Sequence, residues 1–197
     1  MTSKAEQKER SHTGILDSAA RLVRERGIAG TRVADAMRGA GLTVGGFYAH
    51  FASKEELVDE ALRRTGDVLR ERLFSKLDEK PPEARAEVVL KRYLSPAHRD
   101  EQSLGCPLPA VASEIATTAT AHAPVLAEQV EAFRASLAEH LPKKNRTIAL
   151  GLIALMVGGL SLARALRGTD LSDEVIRACR TLGAAAAGRL ADGGRGA

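Results

Sequence analysis

Aromatic and sulfur-containing side chains are scarce in this chain of 197 residues. It contains no tryptophan, two tyrosines, four phenylalanines and two cysteines. The cysteines, Cys106 and Cys179, are too few and too far apart to indicate a disulfide framework or a zinc site. The five histidines are scattered without the spacing of metal ligands. We therefore expect neither a bound metal nor another cofactor.

The sequence also lacks the patterns that mark common enzyme active sites. It has no Gly-rich phosphate loop and no evident nucleophile-base set. The pair Gly45-Gly46 lacks the preceding strand that a dinucleotide fingerprint requires. We therefore expect that the protein is not an enzyme.

Neither a signal peptide nor a membrane span is expected. Residues 1–14 are polar and contain no apolar run. The uncharged stretch 147–163 has only 17 residues, at the lower limit for a spanning helix, and three of them are glycine. We interpret it as a buried helix and expect a cytoplasmic protein without a membrane partner.

The positive charge of the chain is concentrated at its beginning. The formal net charge is +4, and residues 1–54 carry nine Lys or Arg against five Asp or Glu. The remaining residues carry twenty of each sign. This placement favours a nucleic-acid partner for the N-terminal region, because phosphate binding requires local positive charge.

Residues 31–57, TRVADAMRGAGLTVGGFYAHFASKEEL, predict two short helices joined by a tight turn. Thr31 is a candidate N-cap for the first helix, and glycines at 39 and 41 permit the turn. Thr43 is a candidate cap for the second helix, in which Phe47 and Phe51 share one face. Such a pair is a helix-turn-helix, whose second helix can enter the major groove of DNA.

The stretch GLTVGGFYAHFASKEELV resembles the DNA-binding signature of the TetR/AcrR family of bacterial transcriptional regulators. The shared elements are a glycine turn, a Ser/Thr cap, an aromatic pair, His-Phe, and then Lys-Glu. Elsewhere the similarity is limited to length and helical character. The resemblance implies a homodimeric repressor that binds a palindromic operator and is released by a small-molecule effector.

Eight residues are predicted to contact DNA. Thr43, Val44 and Gly45 open the recognition helix and are placed to approach base edges. The other five are predicted to bind phosphates: Thr31, Arg32, Tyr48, His50 and Lys54.

Helical periodicity along the rest of the chain predicts an all-α fold of about nine helices. We expect a DNA-binding domain over residues 1–54, a connecting helix over 54–78, and an effector-binding and dimerisation domain over 79–197. Within these, residues 1–8 are expected to be a disordered tail, residues 10–27 the first helix, and residues 95–103 a loop.

The last two predicted helices are apolar on more than one face, and we expect them to form a four-helix homodimer interface with a second copy. The predicted interface residues are Leu152, Leu155, Met156, Gly159, Val175, Cys179, Leu182 and Ala186.

The effector is the least defined part of the prediction. Because the body is poor in aromatics, an aliphatic pocket is favoured over an aromatic cage. Its candidate polar residues are Tyr93, Ser113, Thr117, His122 and Arg134. Two alternatives stay open: a thiol-based sensor through Cys106, at a predicted helix N-terminus, and a helical adaptor that binds protein rather than DNA.

Overall fold

The computed structural model describes residues 3–192, and this part of the chain is helical without strands. The all-α prediction is confirmed, with nine α-helices in the described part. The helices are α1 Lys4–Arg26, α2 Val33–Gly39, α3 Lys54–Phe74, α4 Pro82–Tyr93, α5 Pro96–Asp100, α6 Leu108–Thr117, α7 Ala123–Ala138, α8 Arg146–Ala165 and α9 Asp170–Asp192. Four short 3₁₀ helices lie between them: Val44–Ala49, Gln102–Leu104, Thr120–His122 and Pro142–Lys144.

Packing divides the chain into two compact units. The first unit contains residues 1–68 and 106–129, and the second contains residues 69–105 and 130–197. This division differs from the predicted domains, since residues 106–129 pack with the N-terminal helices. The assignment of DNA binding to residues 1–54 and of effector binding and dimerisation to residues 79–197 stays a prediction.

The first unit has one continuous apolar core beneath the helix-turn-helix. Helix α1 contributes the face that carries Ile15, Ala19 and Val23, all fully buried. The start of α3 adds Leu57 and Val58, and α6 adds Val111, which is also fully buried. The helix-turn-helix is therefore packed on three other helices of its unit.

Helix α1 begins earlier than the sequence predicted. The expected disordered tail over residues 1–8 is wrong for the described residues, because α1 starts at Lys4 (Met1 and Thr2 lie outside them). Ser3 Oγ accepts a hydrogen bond from Glu6 N at 3.2 Å, and Glu6 Oε2 accepts one from Ser3 N at 2.7 Å. This capping box satisfies N–H groups that would otherwise fray the helix end.

The predicted loop over residues 95–103 is also corrected, because it contains helix α5. Ser95 caps α5 by accepting a hydrogen bond from His98 N at 3.1 Å, and Pro96 occupies its first position. Both residues favour a helix start. The polarity of the segment concealed this short helix.

In the second unit, α8 and α9 pack against each other and against α4 through small residues. A β-carbon added at Gly159 would lie 2.6 Å from Cys179 Sγ, and one added at Gly183 would lie 2.9 Å from Leu90 Cδ2. The glycines therefore permit close helix contact within one copy of the chain.

This packing corrects the predicted dimer interface. Leu152, Met156 and Gly159 are buried inside the unit, and Cys179 faces Gly159. Leu155, Val175 and Ala186 are half-buried, and Leu182 alone of the eight is exposed. The periodicity predicted helices with two apolar faces, but it did not show which of the two faces packs inside the same copy of the chain.

Among the described side chains of α8 and α9, the large apolar residues left exposed are Leu150, Leu162, Leu171 and Leu182. Helix α8 is, by length and composition alone, able to cross a membrane, and 39% of its most apolar window is buried inside the structure. Its fully buried residues, Met156 and Leu160, belong to the core of the second unit.

Candidate nucleic-acid interface

The 3₁₀ helix Val44–Ala49, which we call the recognition helix, is held by two phenylalanines. Phe47 and Phe51 are almost fully buried, and their rings stack with centroids 5.7 Å apart. Phe51 also stacks on His12 of α1 at 4.5 Å. The predicted core role of both phenylalanines is therefore confirmed.

The turn before the recognition helix depends on Gly41. Its φ of 72° lies in the left-handed region, which glycine adopts without steric cost. The chain then closes on α2, because Leu42 N donates a hydrogen bond to Met37 O at 2.9 Å. Gly46 also faces α2, since a β-carbon built at this position would make an ordinary van der Waals contact with Met37 Cε at 3.7 Å.

The opposite face of the recognition helix is open to solvent. Tyr48 is 80% exposed and Val44 is 52% exposed. Thr43 and Gly45 are exposed beside them, and no atom lies within 4 Å of a β-carbon built on Gly45. The Tyr48 ring makes an edge contact with Phe47 at 5.2 Å, which supports the exposed tyrosine from below. Four of the predicted DNA contacts therefore share one exposed face.

Thr31 is not part of that face. Its side chain is fully buried, and its hydroxyl donates a hydrogen bond to Gly27 O at 2.7 Å. The structure contradicts both its predicted capping role and its predicted phosphate contact. Arg32 is the N-cap residue of α2 instead, and its side chain is exposed.

The start of α3 is already occupied by the protein's own polar groups. Ser53 Oγ accepts a hydrogen bond from Glu56 N at 3.1 Å, and the Glu56 carboxylate accepts one from Ala52 N. A backbone hydrogen bond and the Ser53 hydroxyl lower the pKa of the exposed Glu55 carboxyl. Lys54 is half-buried in this turn. The backbone N–H groups of Ala52 and Glu56 are already bonded within the turn. The Lys54 ammonium is therefore the group of this turn that could bind a phosphate.

His50 lies beside the first turns of α1. Burial lowers its pKa, with smaller contributions from His12 and Lys8, so the imidazole is neutral at pH 7. A cleft of about 560 Å³ separates His50 and Ala49 from the side of α1 that carries Lys4 and Lys8. Because the tail was predicted to be disordered, these two lysines were not among the predicted DNA contacts. The Ser3–Glu6 capping box was the signal that could have located them.

Two polar contacts attach residues 106–129 to the helix-turn-helix. Glu114 Oε2 accepts a hydrogen bond from Ala29 N at 2.7 Å, in the turn between α1 and α2. His122 Nδ1 lies 2.7 Å from Asp59 Oδ1 of α3. Sequence reasoning missed both, because their partners are far apart along the chain.

The five predicted effector-binding residues do not form one group. Ser113, Thr117 and His122 belong to the first unit, whereas Tyr93 and Arg134 belong to the second. Ser113 and Thr117 are exposed on α6, and the imidazole of His122 contacts Asp59. In the second unit, Tyr93 is fully buried and Arg134 pairs with Glu131 of its own helix.

Cys106 is only 1% exposed, two residues before α6 begins. An oxidant must reach a thiol sulfur to react with it, so this burial disfavours Cys106 as a sensor. Burial also raises the pKa of the Cys179 thiol, which keeps it protonated.

The part of the chain that contains the turn and the recognition helix is similar in sequence to known proteins. The model of the family described as "Bacterial regulatory proteins, tetR family" matches residues 15–61, which contain the turn, the recognition helix and the start of α3. Residues 15–61 of the chain are therefore similar to the matching region of TetR-family regulators.

Curated relatives are similar to a short stretch of this chain. The transcriptional repressor KstR2 of Mycobacterium tuberculosis is 53% identical over 49 residues, which are 25% of this chain and 24% of the relative. KstR2 of Rhodococcus jostii is 51% identical over 51 residues, or 26% of this chain and 25% of the relative. The similar stretch therefore spans about a quarter of the curated relatives' length.

Solved TetR-family structures share the fold over nearly the whole chain. A regulator from Cytophaga hutchinsonii has a TM-score of 0.74 at 24% identity and covers 94% of this chain and 97% of its own. The reduced form of Escherichia coli NemR has a TM-score of 0.72 at 19% identity and covers 87% of this chain and 95% of its own. These similarities extend the family fold beyond the region of sequence identity.

Proposed function

We propose that the protein is a DNA-binding transcriptional regulator, and specifically a repressor, rather than an enzyme. The observation that carries this proposal is the exposed face of Thr43, Val44, Gly45 and Tyr48 on a recognition helix that Phe47 anchors. That face lies within residues 15–61, which match the model of the tetR family of bacterial regulatory proteins. An exposed tyrosine beside small residues suits an approach of the backbone to the floor of the major groove.

Phosphate contacts are proposed to supply most of the affinity. Arg32 is exposed at the start of α2, and Lys4 and Lys8 follow one side of α1 beside His50. Lys54 adds a fourth positive charge after the recognition helix. Because Gly45 and Gly46 bring no side chains to the bases, we expect modest direct readout and a strong dependence of affinity on salt.

We propose that the protein binds a palindromic operator as a homodimer. The support is the exposed apolar surface of α8 and α9, where Leu150 and Leu162 lie on one helix and Leu171 and Leu182 on the other. Two copies related by a twofold axis would present recognition helices to half-sites about one DNA turn, or roughly 34 Å, apart. Such a regulator acts in the cytoplasm and needs no membrane partner.

We further propose that a small-molecule effector releases the protein from DNA. Release is a population shift, so the effector must bind one arrangement of the dimer better than the other. The buried position of Cys106 favours an effector of this kind over thiol oxidation.

The deciding experiment is binding of the purified protein to DNA from its own upstream region, measured at low and moderate salt. We expect specific binding that weakens by several orders of magnitude between about 50 and 200 mM salt. Tyr48→Ala should weaken it by about tenfold or more, since a hydrogen bond to a charged group contributes about 1.5–3 kcal/mol.

Tyr48→Phe is the matched variant, because it keeps the ring and removes only the hydroxyl. If the hydroxyl contacts a phosphate, both variants should lose affinity while their thermal unfolding stays unchanged. Unchanged DNA affinity in Tyr48→Ala would instead support the adaptor alternative, in which Tyr48 has no role.

A further inference from the structure

A cleft in the second unit has an unusual content of positive charge. Its volume is about 290 Å³, and it lies where the end of α3 meets the end of α4 and the start of α5. The lining residues are Leu69, Arg72, Leu73, Ser75, Arg92, Ser95 and His98. Two arginines and no carboxylate therefore line a cleft at the lower end of the size range of small-molecule sites.

Both arginines are held by backbone carbonyls rather than by acids. Arg92 Nη1 donates hydrogen bonds to Leu73 O at 2.6 Å and to Ser75 O at 2.8 Å. Arg72 Nη1 makes a longer bond of 3.4 Å to Leu104 O. Among the residues described, neither guanidinium forms an ion pair with a carboxylate, whereas the nearby Arg99 pairs with Asp100 and Asp173. A guanidinium keeps its full charge when its partner is a neutral carbonyl.

The other polar groups of the cleft leave this charge uncompensated. Burial is the main cause that lowers the pKa of His98 to about 4, so its imidazole is neutral at pH 7. Its Nδ1 lies 2.6 Å from Tyr93 O, which fixes the ring. Ser75 and Ser95 are uncharged, and their hydroxyls donate to Arg72 O and Arg92 O at 3.1 Å each. Ser95 Oγ also accepts a hydrogen bond from His98 N at 3.1 Å, so neither hydroxyl brings a negative charge to the cleft.

Apolar surface lies beside the two charges. Leu69 and Leu73 are nearly fully buried on the side of α3 that borders the cleft. A ligand that combines an anionic group with a short apolar part would match both kinds of lining. A guanidinium that keeps free N–H groups can bind a carboxylate or a phosphate through two parallel hydrogen bonds.

We propose that this cleft binds a small anionic effector, whose carboxylate or phosphate group is held by Arg72 and Arg92 and whose apolar part contacts Leu69 and Leu73. This replaces the expected aliphatic pocket with a charged site. None of the five residues first predicted for effector binding lines it.

The site is placed where an effector can act on α3. Arg92 holds the carbonyls at the C-terminal end of this helix, and the helix begins at Lys54, shortly after the recognition helix. An anion that attracts the Arg92 guanidinium competes with those carbonyls and so changes how the end of α3 is held. This regulatory step rests on the proposed function, whereas anion binding itself does not.

The test is calorimetric titration of the full-length protein with hexanoate, inorganic phosphate and hexanamide. Hexanamide is the uncharged counterpart of hexanoate. We expect saturable binding of at least one anion and none of hexanamide. Tighter hexanoate binding would identify a carboxylate with an apolar chain, and tighter phosphate binding would identify a phosphate ester. Binding of hexanamide as tight as that of hexanoate, or no anion binding, would overturn the proposal.

Arg72→Gln is the decisive variant, because its single long bond to Leu104 O makes it dispensable for folding. We expect about tenfold weaker anion binding with unchanged thermal unfolding of the free protein. Lys91→Gln removes an exposed positive charge next to Arg92 on the same helix and should leave the affinity unchanged. Equal effects of the two variants would show that only general charge attraction is measured, and would contradict the site.

DNA release by the same anions separates this proposal from the proposed function. DNA binding that the anions do not weaken would overturn the regulatory role and leave the DNA-binding function intact. If the protein binds no DNA, the proposed function fails, while the titration still decides whether the anion site exists.

Discussion

The two compact units expose different kinds of surface. The first unit presents Tyr48 and Val44 beside exposed positive charges, which suits a hydrated, phosphate-rich partner. On α8 and α9 of the second unit, four leucines are exposed: Leu150, Leu162, Leu171 and Leu182. Contiguous exposed apolar surface marks a protein interface in a soluble protein. Under the proposed function, DNA binding and self-association would therefore use separate faces of one chain.

The similarity to known proteins also differs along the chain. The family model matches residues 15–61, which belong to the first unit, whereas fold similarity extends over 94% of the chain. A DNA-reading helix must meet one common geometry, the major groove. An effector site must fit whichever ligand the cell uses, so fold-level similarity does not reveal its chemistry.

The largest expected effect is the loss of self-association in Gly158→Glu. Gly158 is exposed on α8 at four-residue spacing from Leu162, and no atom lies within 4 Å of a β-carbon built there. The variant should therefore fold, but a buried and unpaired carboxylate costs about 3–5 kcal/mol in each half of a twofold interface. Sedimentation should change from twice the chain mass of 20.9 kDa to that mass itself.

The control for this change is Ala127→Glu, which places the same charge on an exposed position of α7. It should leave the mass in solution unaffected. A Gly158→Glu protein that still sediments as a dimer would place the interface elsewhere and remove the contrast between the two units.

The next largest effect is on stability, in Phe51→Ala. Its buried ring stacks on Phe47 and His12, so truncation should lower the free energy of unfolding by about 3–5 kcal/mol. Val44→Ala, on the exposed side of the recognition helix that Phe51 follows, should leave denaturant unfolding almost unchanged. Similar losses in both variants would show that the recognition helix is not anchored on one face.

Acid should destabilise the second unit through His98. Its folded pKa of about 4 lies below the unfolded value near 6.5, so the unfolded chain binds more protons between these pH values. Stability is therefore fully present above about pH 6.5 and falls with pH, by about 2 kcal/mol at pH 5. Denaturant unfolding of His98→Asn should show a weaker loss between pH 7 and pH 5. An unchanged slope would assign the acid sensitivity to other groups.

The smallest expected effect is that of Glu114→Gln in the first unit. The variant keeps an acceptor for Ala29 N but loses the charge, so it should cost about 1 kcal/mol or less. Glu114→Ala also removes the acceptor and should cost more. Thermal unfolding of the two variants ranks them, and equal midpoints would show that this contact does not stabilise the turn.

The helix-turn-helix was predictable in detail because its determinants are local. Gly41 makes its turn locally, and Phe47 and Phe51 are four residues apart, so spacing alone predicted the turn and the shared buried face. The predicted capping role and phosphate contact of Thr31 were wrong, because its burial depends on how the chain folds back over Gly27. The capping propensity of a residue does not determine the direction in which its side chain points.

The sequence by itself determined the all-α class, most helix positions, the resemblance to the TetR family and the exposed position of Tyr48, since periodicity, caps and turns depend on neighbouring residues. Only the tertiary structure decided which apolar face of α8 is internal, that Glu114 contacts Ala29, and that Arg72 and Arg92 share a cleft without an acid. These three features depend on contacts between residues that are distant in sequence. The local pattern shows that a helix face is apolar, but it does not show which other helix packs against that face.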